Sequence, residues 1–253
     1  MMYTFYLEKD SFLHSLDPRT KIIGSLSAMV AVLLFNHPAV MTALFLLILI
    51  AGRVLGKVEI GEQLKFLKPL LPLVILTIAL WPLIYRPRTL GLLFGASFAL
   101  RLLTLGLITI LLLATTRQRE LIRGFVKLGL PYELGLTVSI GLRYIPTLYI
   151  LANNIMDAQK SRGWEVEKGN ILVRLRKMSA VLIPLIVASL RTAHELSIAL
   201  ETRAFGASKK RTFLRDIKMR RRDYVALILI LLLLGTAVYL RYSLGVGYVR
   251  IYG

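Results

Sequence analysis

The chain has no cysteine, which excludes disulfides, thiolate metal sites and cysteine nucleophiles. Histidine is nearly absent too. His14, His37 and His194 are the only three, and no two stand at the i, i+4 spacing that puts two imidazoles on one helix face. No metal site and no cofactor is expected from this residue set. Acidic residues are scarce, 14 against 33 Lys and Arg, giving a formal net charge of +19. Charged residues make up 19% of the chain, below the roughly 25% of an average soluble domain, and hydrophobic ones 56%. The segment before Ile22 is polar and lacks the apolar core of a signal peptide, so the first apolar stretch is expected to be retained.

What is present is apolar sequence in clumps. Five stretches read as membrane spans: Ile22–Phe35, Ala39–Leu55, Pro69–Tyr85, Leu90–Ala114 and Val225–Leu240. A span takes roughly 20 apolar residues, so the first is short. Asn36-His37-Pro38 predicts a tight turn between the first two, since proline disfavours helix at the residue before it. Lys and Arg set the orientation. With the N-terminus in the cytoplasm, 28 of them lie inside, 21 of these between Arg117 and Arg222. Four lie outside, and Arg101 falls within the fourth span. The expected protein is therefore all-α and multi-pass in the cell membrane, with the N-terminus cytoplasmic and the C-terminus outside. Residues 1–116 would form a four-span membrane region, 117–222 a cytoplasmic section, and 223–253 the last span and tail. Arg101 has two readings: an intramembrane charge facing protein or water, or a snorkelling side chain at a partly interfacial helix end. Gly91 and Gly95 form a small-xxx-small pair, a weak sign of close helix contact.

The cytoplasmic section contains two long helical patterns. From Pro131 to about Gly163, Leu134, Val138, Leu142, Ile145, Leu148, Ala152, Ile155 and Met156 recur at spacings of three and four, forming one apolar stripe. Pro146 should kink this helix rather than end it. The second pattern runs from about Ile171 to Phe205. Its centre, Ala180–Leu190, is apolar all round but too short to cross a bilayer, which predicts a buried or half-buried core segment. Arg117–Leu130 predicts a shorter amphipathic element. A basic run follows: Lys209, Lys210, Arg211, Arg215, Lys218, Arg220, Arg221 and Arg222. Such juxtamembrane clusters hold anionic lipid headgroups. Nucleic acid is not an expected partner, because no recognition fold or aromatic stacking platform accompanies the charge.

The two long helices end alike. Ala158-Gln159-Lys160-Ser161-Arg162-Gly163-Trp164 and Ala199-Leu200-Glu201-Thr202-Arg203-Ala204-Phe205-Gly206 share the form Ala-x-x-x-Arg-small-aromatic, with the arginines 41 residues apart. Alanine and arginine at i and i+4 share a helix face. The small neighbour lets another surface approach, and arginine offers it a planar fork of donors. Gly163 and Gly206 suit left-handed helix caps, and arginine in a last turn also complements the helix dipole. Plain capping would explain one such end. Two on consecutive helices read as docking ends for a partner with two similar sites.

This pair of motifs resembles the signature of the energy-coupling-factor (ECF) transporter T component, the family that includes the cobalt-transport transmembrane subunit. Leu16-Asp17-Pro18-Arg19-Thr20-Lys21 and Leu142-Arg143-Tyr144-Ile145-Pro146-Thr147 are similar to that family as well. The resemblance implies an ABC-importer subunit joining two ATP-binding cassette ATPase subunits to a membrane substrate-binding (S) subunit, with a vitamin or transition-metal ion as cargo. It implies that Arg162 and Arg203 dock the ATPases, with Ala158, Gly163, Ala199 and Ala204 as their small neighbours. The apolar helix faces, Leu134, Val138, Leu142 and Ile145 among them, would hold the S subunit. Ala204 departs from the glycine that would repeat the first motif; its small size predicts little consequence.

Two other classes compete. An enzyme would need acid/base or metal groups near the spans, but the five spans contain no Asp, Glu or His, and Glu59, Glu62, Asp216 and Asp223 form no ligand pattern. A non-catalytic subunit is expected. The alternative transporter reading is a permease subunit of another ATP-driven system or a self-contained carrier. Gly52-Arg53-Val54-Leu55-Gly56-Lys57 is one residue too short for a phosphate loop and lacks the following Ser or Thr. Energy would then come from a partner.

Overall fold

A computed structural model describes residues 6–85, 88–163, 171–207 and 219–243. Every regular element among them is helical. The order is α1 (Phe12–Ser15), α2 (Pro18–Leu34), α3 (Pro38–Val54), α4 (Ile60–Leu67), a 3-10 turn (Lys68–Leu70), α5 (Leu71–Ile84), α6 (Arg88–Thr115), α7 (Gln118–Lys127), α8 (Tyr132–Ser161), α9 (Ile171–Thr202) and α10 (Arg221–Tyr242). The chain forms two compact units, Met1–Pro131 with Ile217–Gly253, and Tyr132–Asp216.

In the first unit the expected tight turn joins α2 to α3, and both helices then pack on α6 rather than along each other. Both start on a side-chain cap followed by proline at the first helical position, where a missing N–H costs nothing. Asp17 accepts from the Arg19 amide at 2.9 Å, and His37 Nδ1 from the Ala39 amide at 3.3 Å. Val32, Phe35, Met41 and Ile108 form one buried cluster; Leu49, Leu67 and Leu107 form another. The Gly91 and Gly95 pair marks a close contact, as the sequence suggested. A Cβ at Gly91 would come within 2.7 Å of the Pro82 Cα, and one at Gly95 within 3.3 Å of the Ile78 Cα, so α5 and α6 meet backbone to backbone. The apparent phosphate loop has a packing role instead. Gly52 lies under Gln63 and Leu111, and its carbonyl accepts from the Val58 amide at 3.1 Å.

A polar node ties this unit together at the N-terminal ends of α2 and α10. Asp223, 3% exposed, accepts from the Asp17 amide through Oδ1 and from the Arg220 amide through Oδ2, both at 2.7 Å. Lys21 Nζ donates to the Thr115 carbonyl at 2.9 Å and the His14 carbonyl at 3.3 Å, fastening α2 to the end of α6. His14 Nε2 lies 2.9 Å from the Leu7 carbonyl, which can only accept, so that nitrogen carries the proton and Nδ1 takes the Ser11 hydroxyl at 2.6 Å. Burial pushes this imidazole below the usual histidine range.

The second unit is the pair α8 and α9. Both helices pass through their prolines, Pro146 and Pro184, without a break. Near one end of the pair Gln159 Nε2 donates to the Ala180 carbonyl at 3.2 Å; near the other, Tyr132 and Phe205 rings lie 6.4 Å apart. The start of each helix thus meets the end of the other, and the pair is antiparallel.

By length and apolar composition, five helical segments could cross a membrane: Ile60–Ile84, Arg88–Thr115, Tyr132–Ser161, Met178–Thr202 and Arg221–Tyr242. Three coincide with spans read from the sequence. α2 and α3, at 17 residues each, are shorter, and the two helices read as amphipathic join the set. Of the two readings of Ala180–Leu190, the half-buried one describes it: Ala180, Val181, Pro184, Leu185, Ala188 and Ser189 are half-buried, and Leu182, Ile183, Ile186, Val187 and Leu190 are exposed. An antiparallel pair of helices can cover only one flank of each member, and this stretch is apolar on every side.

Candidate docking site on the two long helices

The ends of α8 and α9 repeat in hydrogen bonding as well as in sequence. Arg162 donates its amide to the Gln159 carbonyl at 3.1 Å, and Gly163 to the Lys160 carbonyl at 2.9 Å. Arg203 donates to the Leu200 carbonyl at 3.2 Å, and Ala204 to the Glu201 carbonyl at 2.9 Å. Phe205 completes the second end by donating to the Leu200 carbonyl at 3.0 Å. This is the six-to-one bond of a Schellman cap. Trp164, the matching residue of the first end, lies outside the described residues. Each arginine is the cap residue, and the small residue after it is left-handed, with φ of +78° at Gly163 and +56° at Ala204.

Ala204 therefore carries a constraint that its size alone does not reveal. A left-handed alanine brings its Cβ against the following carbonyl at about 1–2 kcal/mol, where glycine has no such contact. Ala204→Gly is expected to firm the last turn of α9 by about 0.5–1 kcal/mol once the freer unfolded chain is allowed for. Amide hydrogen exchange at Ala204 and Phe205 should slow by about two- to fivefold. Unchanged or faster exchange would show that the alanine is unstrained.

All six residues of the two ends, Ala158, Arg162, Gly163, Ala199, Arg203 and Ala204, are exposed. Among the described residues neither arginine side chain makes a hydrogen bond or ion pair. Because the helices are antiparallel, the two arginines stand at opposite ends of the pair. Ala180, beside Gln159, is 23 residues from Arg203 along α9, about 35 Å of helix. Sequence reading found the two ends but not their opposition, which depends on a pairing no local pattern encodes.

A third helix supplies an internal control. α7 also ends in a Schellman cap: Leu130 donates to the Phe125 carbonyl at 3.0 Å and Gly129 is left-handed at +118°. Its cap residue is Leu128. This chain can close the same cap without arginine, so the guanidinium at the other two ends is surplus to capping.

Between the ends run apolar faces. Leu134, Val138 and Ile145 are 53%, 49% and 54% exposed, and Leu142 is half-buried. Tyr149 and Ile150 on α8 and Leu182–Leu190 on α9 extend the uncovered surface. Of the basic run, Lys209, Lys210, Arg211, Arg215 and Lys218 lie outside the described residues. No group of three or more His, Asp or Glu able to hold a metal ion occurs among the described residues.

Comparison with known proteins now decides the family. The description "cobalt transport protein", CbiQ, matches residues 9–213. This chain belongs to the CbiQ family. CbiQ relatives include the energy-coupling factor transporter transmembrane protein EcfT of Acidaminococcus fermentans, 33% identical over 94% of this chain and 96% of that protein. EcfT of Clostridium kluyveri is 35% identical over 90% and 92%, and EcfT of Staphylococcus aureus 31% identical over 94% and 96%. As a CbiQ-family member with five membrane-length apolar helices, the chain is a multi-pass membrane protein and the transmembrane component of an ECF transporter.

Proposed function

We propose that this chain is the coupling subunit through which two ATP-binding cassette ATPases drive a membrane S subunit, and that it catalyses nothing itself. The observation that carries the reading is the duplication: two exposed arginines, each on the cap of a long helix, unpaired among the described residues and set at opposite ends of the pair. Two such ends suit two similar partners. Residues 117–222 serve as the cytoplasmic coupling section between the four-span membrane region, residues 1–116, and the last span with its tail, residues 223–253. Arg162 and Arg203, with Ala158, Gly163, Ala199 and Ala204 beside them, dock the ATPases. The uncovered face of Leu134, Val138, Leu142 and Ile145 takes the S subunit, and the basic run up to Arg222 rests on anionic lipid. The cargo is a vitamin or a transition-metal ion; the family description, which speaks of cobalt, keeps the metal in view. Affinity purification of the full chain with mass spectrometry tests the scheme. Two ATPase copies and one small apolar membrane protein should co-purify, and recovery without any ATPase would overturn it.

The charge asymmetry supports a cytoplasmic N-terminus and a C-terminus on the far side. A reporter that works only in the cytoplasm should stay silent when fused after Gly253; an active fusion reverses the assignment.

A further inference from the structure

Arg101 has no role in the coupling scheme. Its Nη2 donates to the Phe35 carbonyl at 2.5 Å and to Asn36 Oδ1, gripping the α2–α3 turn. Among the described residues no carboxylate answers its charge. It forms no ion pair among the described residues, and α2, α3, α5 and α6 contain no Asp or Glu. Its Nε is shielded from solvent and finds no acceptor. Arg101 also lines a cavity of about 300 Å³ with Thr77, Trp81, Phe98, Leu102 and Leu105. Trp81 stacks on Phe98 at 4.4 Å, and the guanidinium lies over the same Phe98 ring at 4.9 Å. The slot has apolar and aromatic walls and one unbalanced cation at its edge.

The depth of this slot follows from the helix register. Lys21 holds the Thr115 carbonyl at one end of α2, and Arg101 holds the Phe35 carbonyl at the other. From Lys21 to Phe35 and from Arg101 to Thr115 are 14 residues each (35 − 21 and 115 − 101), about 21 Å of helix. Asp223 beside Asp17 and Ile230 beside Gly24 share an offset of 206, which brings Tyr242 level with Asn36. α2 and α10 thus end, and α3 begins, near one level, marked by Asn36, His37, Arg241 and Tyr242. Tyrosine and arginine gather at membrane boundaries, and a cation a little below one can reach its headgroups.

We propose that Arg101 and the slot beside it bind an anionic phospholipid, the phosphate on the guanidinium and the acyl chain along Leu102 and Leu105, against the outer face of the Trp81–Phe98 stack. A cation without a counter-ion among the described residues, near the level where α2 and α10 end and beside an apolar slot, matches a phosphate ester that carries its own hydrocarbon. The lipid belongs to the leaflet away from Lys21, and the leaflet's name alone rests on the orientation proposed above.

Trp81 reports on this slot, and Trp164 is the only other tryptophan. The full chain with Trp164→Phe is placed in nanodiscs of phosphatidylcholine containing an equal mole fraction of either brominated phosphatidylglycerol or brominated phosphatidylcholine. Bromine quenches only on contact, so lipid held elsewhere by the basic run is silent. The anionic lipid should occupy the slot with about a fivefold preference, the effect of one basic side chain at a membrane surface. Arg101→Gln should abolish the preference. Because that change also frees the α2–α3 turn, Leu105→Phe serves as a second variant, filling the slot while leaving the guanidinium in place; it should lower quenching by the anionic lipid. Excess inorganic phosphate should not relieve the quenching. Equal quenching by the two lipids, a preference that survives Arg101→Gln, or quenching unchanged in Leu105→Phe would each overturn the site. Relief by inorganic phosphate would also overturn it, by showing a site for the free anion.

Discussion

Replacing Arg162 and Arg203 together by alanine is expected to leave a folded membrane protein that no longer holds its ATPases. Both side chains are exposed, and neither has a partner among the described residues. Surface changes of that kind cost at most about 0.5 kcal/mol of stability, with about 0.3–1 kcal/mol more where a helix dipole is involved. The effect on docking is far larger if each arginine enters a closed interface. Truncating one member of a buried charged pair costs about 2–5 kcal/mol, or roughly 30-fold to several thousand-fold in affinity. Either substitution alone should be softened, because the intact end keeps the second ATPase at high local concentration. The single variants should therefore retain some of the complex and some of the transport, and the double variant neither. Lysine should rescue only partly, since an ammonium lacks the planar fork. Co-purification of ATPase and substrate uptake are measured for each variant. Full recovery and normal uptake by the double-alanine protein would reduce these arginines to helix caps.

Asp223→Ala should be the most damaging single change to the fold. The carboxylate accepts the buried amide of Asp17, the cap of α2, and the part-buried amide of Arg220, the cap of α10, both at 2.7 Å. Hydrogen bonds to a charged group contribute about 1.5–3 kcal/mol each, and an orphaned buried donor adds its own desolvation cost. The loss of both should approach about 3–5 kcal/mol, a large share of a domain's whole stability. Asp223→Asn should fall between, because its amide retains one acceptor and turns an N–H₂ toward one of the two donors. Thermal unfolding of the detergent-purified protein gives the order wild type, Asn, Ala. An alanine variant that melts with the wild type would mean that water reaches these amides and the node is open.

The sequence disclosed whatever is written in contiguous residues. The apolar runs located five helices of the first unit and the Asn36–His37 turn, and the duplicated Ala-x-x-x-Arg ends stood out because each fits within one helix turn or two. Features that depend on distant partners were hidden. Leu16-Asp17-Pro18-Arg19-Thr20-Lys21 was notable as a motif, but its work, an amide for Asp223 and an ammonium for Thr115, depends on residues 206 and 94 positions away. Arg101 could be seen as an intramembrane charge, whereas its target at Phe35 and Asn36 could not. Ala180–Leu190 is covered on one flank only, and the sequence could not say which. Hydrophobicity says that a surface is to be covered and is silent on whether the cover comes from the same chain. The left-handed Ala204 was missed because alanine is a strong helix former whose backbone is here set by a cap.

The bond between Asp17 and Asp223 also fixes an order of events during synthesis. A ribosome adds about 5–20 residues per second, so the 206 residues between these partners take roughly 10–40 seconds to appear. Throughout that interval α2, α3, α5 and α6 exist without the helix that packs on α2, and the Asp17 amide has no Asp223 carboxylate to meet. The young protein must therefore wait, half assembled in the lipid, for its last helix to arrive and seal its first.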